Sequence, residues 1–341
     1  MNSVISSIKL VCWICIINSM LPRVAEADLL VGDYNNHQIW RFTDSGTLLG
    51  PFGDANDAHG LGIPAGIARD AEGRIYTKSM TSGNVLRFDP LGNYLGQWID
   101  GGTGTQAGLA FDSHGNLWFR RLGFGSPPAY SSRMGRFDAG GKLDFEFDTR
   151  LAGYGPFAID SGDILYVPHD EVYSPPIFPG DAFDGVYRFR TDGTPLGPFG
   201  QATNALSGIV NPEGVLFASH GHLLVGVVGR ILKYDVDGTF LGTFAISDTS
   251  GYMAMDAVGS IYGASGPEVF KFDSAGNPLG EIIRAGVGGV PANFRSEAIA
   301  YVPPVPEAAG AALATFIVLG YLVRRRQRPT ETERRTDART L

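Results

Sequence analysis

The chain has 341 residues, among them 47 glycines, 21 prolines and only two cysteines, and 11% of it is aromatic. This composition is typical of many short strands joined by tight turns, and it argues against a largely helical or a disulfide-stapled protein. The formal net charge of −8 and the sequence pI of about 5.2 leave no cationic footprint for a phosphate backbone, so we expect no nucleic-acid partner.

Residues 1–27 have the pattern of a secretory signal peptide. Lys9 precedes an apolar run from Leu10 to Leu21, which holds both cysteines, and the small-residue pattern Ala25-Glu26-Ala27 follows. We expect cleavage after Ala27, so that the exported protein carries no cysteine and no disulfide. An uncleaved membrane anchor is the alternative.

Residues 28–302 contain a repeat with a period of 38 to 52 residues. An apolar strand that ends in an aromatic residue recurs six times, and its last residues are Phe42, Phe88, Phe137, Phe189, Tyr234 and Phe272. A tight turn and a further short strand follow it, and two strands joined by a Gly turn precede five of the six copies. Four short strands in such a period match the size of one propeller blade.

The two ends of the repeat region complement each other. Residues 29–53 contain the second, third and fourth strands of a repeat but lack the first, and a matching first strand is predicted at 296–302. We therefore predict an all-β, six-bladed β-propeller, closed by a blade that both ends of the chain share, which removes exposed sheet edges.

Two strand openings carry a family resemblance. They read IPAGIA at 63–68 and NPEGV at 211–215. Both resemble the NHL repeat, whose consensus opens with Pro-x-Gly-Ile-Ala, and the resemblance covers roughly residues 28–302. It implies a propeller of the NHL type.

The longer connections between strands predict a binding face. In an up-and-down blade, the connections between the second and third strands lie at the same end as the connections between blades. The long segments 120–133, 168–185, 200–212 and 284–295 all belong to these two kinds. Loop drift without a function is the alternative explanation.

The candidate binding residues lie in or beside these long segments. They are Arg120, Arg121, His169, Asp170, Glu171, Glu213 and Glu297. We expect the first five at one exposed rim, where the planar guanidinium groups pair with the acidic loop. We expect the two glutamates nearer the mouth of the central channel.

The acidic loop that begins at His169 holds an imidazole and several carboxylates, which are ligand types for a divalent cation such as calcium. Their spacing matches no ligand motif, so we favour a solvated loop and expect no cofactor. Glu213 and Glu297 support one enzymatic alternative, a metal-dependent hydrolase, lactonase or lyase resembling the gluconolactonase type. The asparagines of such a site are not evident, because Ala65 and Ala107 occupy the corresponding strand openings. The favoured function is a binding or scaffold module for an extracellular protein or glycan.

Residues 303–341 have the pattern of a sorting and membrane tail. A linker at 303–307 contains Val305, Pro306 and Glu307, an uncharged segment follows at 308–323, and a basic tail occupies 324–341. As a helix the uncharged segment spans about 24 Å, short of the ~30 Å hydrocarbon core. The arginines favour the cytoplasmic side, which leaves the propeller outside.

This order of motif, apolar segment and basic end resembles the PEP-CTERM tail, although Ala308 stands where the family has its second proline. The resemblance implies processing by an exosortase-like enzyme, with the protein at the cell surface or released after sorting. An ordinary membrane anchor is the alternative.

Overall fold

The computed structural model describes residues 28–100, 108–122, 132–151, 155–169, 184–200, 209, 211–218, 221–247 and 251–303. These residues form six four-stranded antiparallel sheets and one turn of 3-10 helix at Asp57–His59. Within each sheet the strands are neighbours in chain order, except that the C-terminal strand opens the first sheet. We number these sheets as blades 1 to 6.

The strands of blades 1 to 3, from the innermost strand outward, are as follows: β24 Ser296–Val302, β1 Asp28–Asp33, β2 Gln38–Thr43 and β3 Leu48–Pro51; β4 Pro64–Arg69, β5 Ile75–Ser79, β6 Val85–Phe88 and β7 Tyr94–Ile99; β8 Leu109–Phe111, β9 Leu117–Leu122, β10 Ser132–Phe137 and β11 Leu143–Asp148.

The strands of blades 4 to 6, in the same order, are as follows: β12 Ala158–Ile159, β13 Ile164–His169, β14 Gly185–Arg190 and β15 Pro195–Phe199; β16 Gly214–Phe217, β17 Leu223–Val227, β18 Arg230–Tyr234 and β19 Phe240–Ile246; β20 Tyr252–Met255, β21 Ile261–Ser265, β22 Glu268–Phe272 and β23 Pro278–Arg284.

The prediction of six blades and of a shared first blade is confirmed. β24 pairs antiparallel with β1, and Leu30 lies opposite Ala300 in this ladder. Because Leu30 and Val302 are both buried in one apolar cluster, the closing strand adds core packing as well as hydrogen bonds.

An aspartate closes the turn from the first to the second strand in four blades. In blade 3, one carboxylate oxygen of Asp112 accepts the backbone N–H groups of His114 and Asn116, at 3.0 and 2.9 Å. The other oxygen accepts the indole N–H of Trp118 at 3.0 Å. The corresponding pairs in blades 2, 4 and 6 join an aspartate to a tyrosine hydroxyl and are Asp70–Tyr76, Asp160–Tyr166 and Asp256–Tyr262. We call these four units the aspartate–aromatic pairs.

The core lies between neighbouring sheets, and the rings of these pairs extend into it. The ring of Tyr76 in blade 2 packs edge-on against Phe111 of blade 3, with ring centroids 5.2 Å apart. Trp118 of blade 3 is fully buried in a cluster with Leu165 and Val167 of blade 4. Blades 2, 3, 4 and 6 therefore each supply an aromatic wedge to the next blade, as ridges of large side chains fill the space between packed sheets.

The strand order divides the propeller into two faces. The connections between second and third strands and between blades lie on one face, the loop face. The turns between first and second strands and between third and fourth strands lie on the other, the short-turn face. Among the described residues no helix has the length and apolarity to cross a membrane, and the predicted signal peptide and the segment 304–341 lie outside them.

Candidate binding face

The central channel holds a cavity of about 270 Å³ lined by residues from all six innermost strands, among them Ala65, Leu109, Ala158, Val215 and Ala298. Small residues let the inner strands approach closely. A Cβ atom at Gly66, for example, would lie 3.1 Å from the backbone nitrogen of Gly108 in the next blade. The channel wall is thus mainly backbone and apolar side chains.

A polar cluster lies at one end of this channel, on the loop face. The Tyr252 hydroxyl donates to Oε2 of Glu297 at 2.9 Å, and a guanidinium nitrogen of Arg295 lies 2.9 Å from Oε1 of the same carboxylate. Burial and the neighbouring Glu297 charge raise the pKa of Tyr252 well above its ordinary value, and Glu213 adds to the same effect. The structure therefore brings the two predicted glutamates to one tyrosine at the channel mouth.

Arg295 also joins the two ends of the chain on this face. Its guanidinium lies over the ring of Tyr34, 4.8 Å from the ring centroid, and its backbone N–H donates to Oδ1 of Asp33 at 3.1 Å. The Tyr34 N–H donates in turn to the Arg295 carbonyl at 2.8 Å. Cation–π and hydrogen-bond contacts of this kind hold both segments in one geometry.

Asparagine side chains extend this network. The amide of Asn35 donates to the Asn293 carbonyl at 2.7 Å, and the amide of Asn293 donates to Oδ1 of Asn36 at 3.1 Å. Asn36 is tied to Oδ2 of Asp33 at 2.6 Å. We call Asp33, Tyr34, Asn35, Asn36, Asn293, Arg295 and Glu297 the seam network.

Arg120 lies in a different place from the exposed rim that the sequence predicts. Its side chain is fully buried between blades 3 and 4, where Nε donates to Ser132 Oγ at 2.8 Å and Nη1 to the Pro168 carbonyl at 3.1 Å. Its Nη2 is buried without a hydrogen-bond partner. Burial lowers the pKa of Arg120 to about 9. The rim prediction is therefore wrong for this residue, because its side chain shares the inward face of the strand with Trp118.

Arg121 and His169 lie in different environments. Arg121 pairs with Glu146 of its own blade at 2.9 Å, and Arg133 holds the other oxygen of this carboxylate at the same distance. Arg121 therefore forms a partly exposed ion pair within its own blade, and the acidic loop beyond His169 lies outside the described residues. His169 is buried, and its ring packs edge-on against Tyr187, with centroids 5.6 Å apart.

The remaining predicted rim residues, Asp170 and Glu171, lie outside the described part of the chain. In the described ranges no group of three or more His, Cys, Asp and Glu side chains is placed to hold a metal ion.

The sequence pattern did not predict three residues of these clusters, namely Lys78, Tyr252 and Arg295. Lys78 is fully buried in blade 2, where its ammonium donates to the Arg120 carbonyl at 3.0 Å and lies 5.0 Å above the Phe119 ring. Burial, and secondarily the charge of Arg121, lower the pKa of Lys78 to about 7. Lys78 occupies the position in β5 that Arg120 occupies in β9. An alignment of the repeats with one another would have shown a basic residue at this position in two blades.

Comparison with solved structures supports the architecture. The nidogen/laminin complex contains a chain that matches this one with a TM-score of 0.60 and 15% identity, over 81% of this chain and 98% of that one. A gluconolactonase from Xanthomonas campestris matches with a TM-score of 0.51 and 20% identity, over 71% and 85%. A streptogramin B lyase matches with a TM-score of 0.52 and 14% identity, over 79% and 87%.

Comparison of the sequence with models of known protein families and with curated proteins found no match. At the identities of these structural neighbours the likeness concerns the fold alone, because one propeller architecture hosts many functions. This chain is a six-bladed β-propeller.

Proposed function

We propose that this chain is an exported β-propeller held at the cell surface, and that the seam network on its loop face binds an extracellular protein or glycan. One observation carries the proposal: a set of aromatic, amide and charged side chains on the loop face is held in place by contacts between the first and the last segments of the propeller domain.

The composition of the seam network suits recognition. Tyr34 offers a rigid amphipathic ring, the amides of Asn35 and Asn293 are exposed, and Arg295 is an exposed cation anchored at its backbone. Such residues are enriched at binding surfaces, because a tyrosine or an anchored arginine loses little conformational entropy when a partner binds.

The state of Glu297 favours binding over catalysis at the channel mouth. Both of its oxygens are engaged, one by the Tyr252 hydroxyl and one by Arg295. A carboxylate whose two oxygens are engaged in this way has few lone pairs left for a metal ion. The enzymatic alternative would require this cluster to rearrange.

The structural neighbours are compatible with either role. One of them occurs in a nidogen/laminin complex, and others are a gluconolactonase and a streptogramin B lyase. The first supports a binding role by analogy of fold, and the other two support a test for lactonase or lyase activity.

Export and surface attachment are supported by the two ends of the sequence. The apolar run before Ala27 supports a cleaved signal peptide, and Val305, Pro306 and Glu307 ahead of the segment 308–323 support a sorting tail read by an exosortase-like enzyme.

The binding proposal is tested with purified protein on a glycan array and on immobilised cell-surface proteins. We expect the double variant Tyr34→Ala/Arg295→Ala to lose at least about tenfold in affinity for any partner of the wild-type chain. The matched control is Asp192→Ala/Asp237→Ala on the short-turn face, which should keep that affinity. If the control loses the partner and the loop-face variant keeps it, the assignment of the binding face is wrong.

The enzymatic alternative has its own test. Metal analysis of the purified protein, with hydrolysis of lactones measured before and after chelation, would reveal a metal-dependent activity. Loss of that activity in Glu213→Gln would replace the binding proposal with the lactonase one.

A further inference from the structure

A second pocket lies between blades 5 and 6, beneath the short-turn face. Its volume is about 240 Å³. Its wall combines apolar side chains with three polar ones, namely Ala218, Leu224, Phe244, Val258 and Ile261 with His222, Lys233 and Ser274.

The pocket exists because blade 5 lacks an aspartate–aromatic pair. The backbone N–H of Ala218 donates to the His222 carbonyl, as the N–H of Asp256 donates to the Ser260 carbonyl in blade 6, so Ala218 stands at the aspartate position. Leu224 stands at the aromatic position, because it lies opposite Lys233 as Tyr262 lies opposite Lys271. A methyl group and a leucine thus replace a carboxylate and a phenol ring.

The basic residue of the motif remains in blade 5. In blade 6 the ammonium of Lys271 lies 3.7 Å from Oδ2 of Asp256 and 4.9 Å above the Tyr262 ring. In blade 5 the ammonium of Lys233 makes no ion pair or side-chain hydrogen bond among the described residues, and its side chain lines the pocket. The cation of the motif is present without the anion and the ring.

Blade 1 also has a leucine at the aromatic position, but its basic residue keeps a carboxylate partner. Leu30 occupies its aromatic position, opposite Arg41, but Arg41 pairs with Asp28 at 2.6 Å, and the buried Val302 packs beside Leu30. Blade 1 therefore supplies its own carboxylate from a neighbouring position.

We propose that the pocket between blades 5 and 6 binds a small single-ring aromatic carboxylate, which takes the place of the missing aspartate–aromatic pair. The ring packs among Leu224, Phe244 and Ile261, and the carboxylate lies at Lys233, with Ser274 as a hydroxyl donor. The size is sufficient, since an apolar protein cavity of about 150 Å³ holds benzene. A charge-assisted bond to an ammonium group supplies the orientation.

The geometry of the intact pair indicates the spacing within the ligand. In blade 6 the phenol oxygen of Tyr262 lies 3.1 Å from the Asp256 carboxylate. The motif therefore places an aromatic ring, an oxygen atom and a carboxylate next to one another in space. Phenoxyacetate reproduces this order with a covalent bridge and is the probe of choice.

The experiment measures phenoxyacetate binding to the full-length chain by calorimetry and by saturation-transfer NMR. We expect saturable binding at or below about 10 mM. Lys233→Met should weaken it at least about tenfold, because a hydrogen bond to a charged group is lost. Lys271→Met is the matched control and should bind as the wild type does. The uncharged analogue 2-phenoxyethanol should bind at least about tenfold more weakly than phenoxyacetate.

A second variant fills the pocket from within. Ala218→Asp/Leu224→Tyr gives blade 5 an aspartate–aromatic pair like that of blade 6. It should therefore abolish phenoxyacetate binding and raise the melting temperature of the chain. No saturable binding to the wild type, or equal affinity in the wild type and in Lys233→Met, would overturn the proposal whether or not the double variant folds.

Discussion

The ammonium group of Lys78 donates a 3.0 Å hydrogen bond to the main-chain carbonyl of Arg120, the residue at the equivalent position one blade further along the chain. Arg120 repeats the contact, since its Nη1 donates to the carbonyl of Pro168, again at the equivalent position of the next blade. Two buried basic side chains thus link three consecutive blades through backbone carbonyls.

Stability should rise with pH above neutrality, and Lys78 should be a cause. The pKa of Lys78 is about 7 in the folded chain, against 10.5 for an ordinary lysine. Between these values the unfolded chain binds more protons than the folded chain, so the free energy of unfolding increases as pH rises from about 7 towards 10. Lys78→Met should flatten this rise, measured as melting temperature from pH 6 to 9. The control Lys271→Met, whose ammonium is near Asp256, should retain the rise. A slope unchanged in Lys78→Met would refute the assignment.

The aspartate–aromatic pair of blade 3 should be a major local contribution to stability. Asp112→Ala leaves the buried indole N–H of Trp118 and two turn N–H groups without their acceptor, so we expect a loss of about 2–3 kcal/mol in the free energy of unfolding. Chemical denaturation measures this value. Asp273→Ala removes the same turn bonds at an exposed site without a buried ring and should cost less. Equal losses in the two variants would show that the ring contact adds nothing.

Removal of the closing strand should cost the propeller much of its stability. A chain that ends at Phe294 lacks β24 and exposes the edge of β1, so we expect a large fall in melting temperature and some aggregation. A chain that ends at Tyr301 keeps nearly all of the β24–β1 ladder and is the comparison. If the two chains melt alike, the shared blade does not close the propeller.

The tail should determine retention at the membrane. Deletion of every residue after Pro304 should release soluble protein into the medium, because the apolar segment 308–323 and its arginines are removed. Fractionation followed by immunoblotting checks this outcome, and persistence in the membrane fraction would contradict it. Replacement of Glu307 tests the finer proposal, since a tail processed by an exosortase-like enzyme should stop being processed, whereas a plain anchor should behave as before.

The repeat pattern was sufficient to predict the blades. The six copies that end at Phe42, Phe88, Phe137, Phe189, Tyr234 and Phe272 became the third strands of the six sheets. The strand at 296–302 was predicted because the first repeat lacked its first strand, and it pairs with β1 as expected. These features were readable because strand periodicity and turn residues are local properties of the chain.

The site residues were predicted less well, and Arg120 and Arg121 show why. Adjacent residues of a strand point to opposite faces of the sheet, so Arg120 and Arg121 had to face different neighbouring blades. Loop length alone suggested that both were exposed. Only the docking of blade 4 against blade 3 buries Arg120 and gives it the Pro168 carbonyl, while Arg121 finds Glu146 on its own blade.

The sequence by itself determined the number of blades, their order and the shared closure, because each follows from patterns within one repeat or from a count of repeats. The tertiary structure decided which polar side chains meet. It brought Glu297 to Tyr252 and Arg295 at the channel mouth, and it turned the absence of an aspartate at Ala218 into a pocket beside Lys233. Such contacts join residues of neighbouring blades or of distant parts of the chain, so they depend on how sheets pack and not on the local pattern of any one strand.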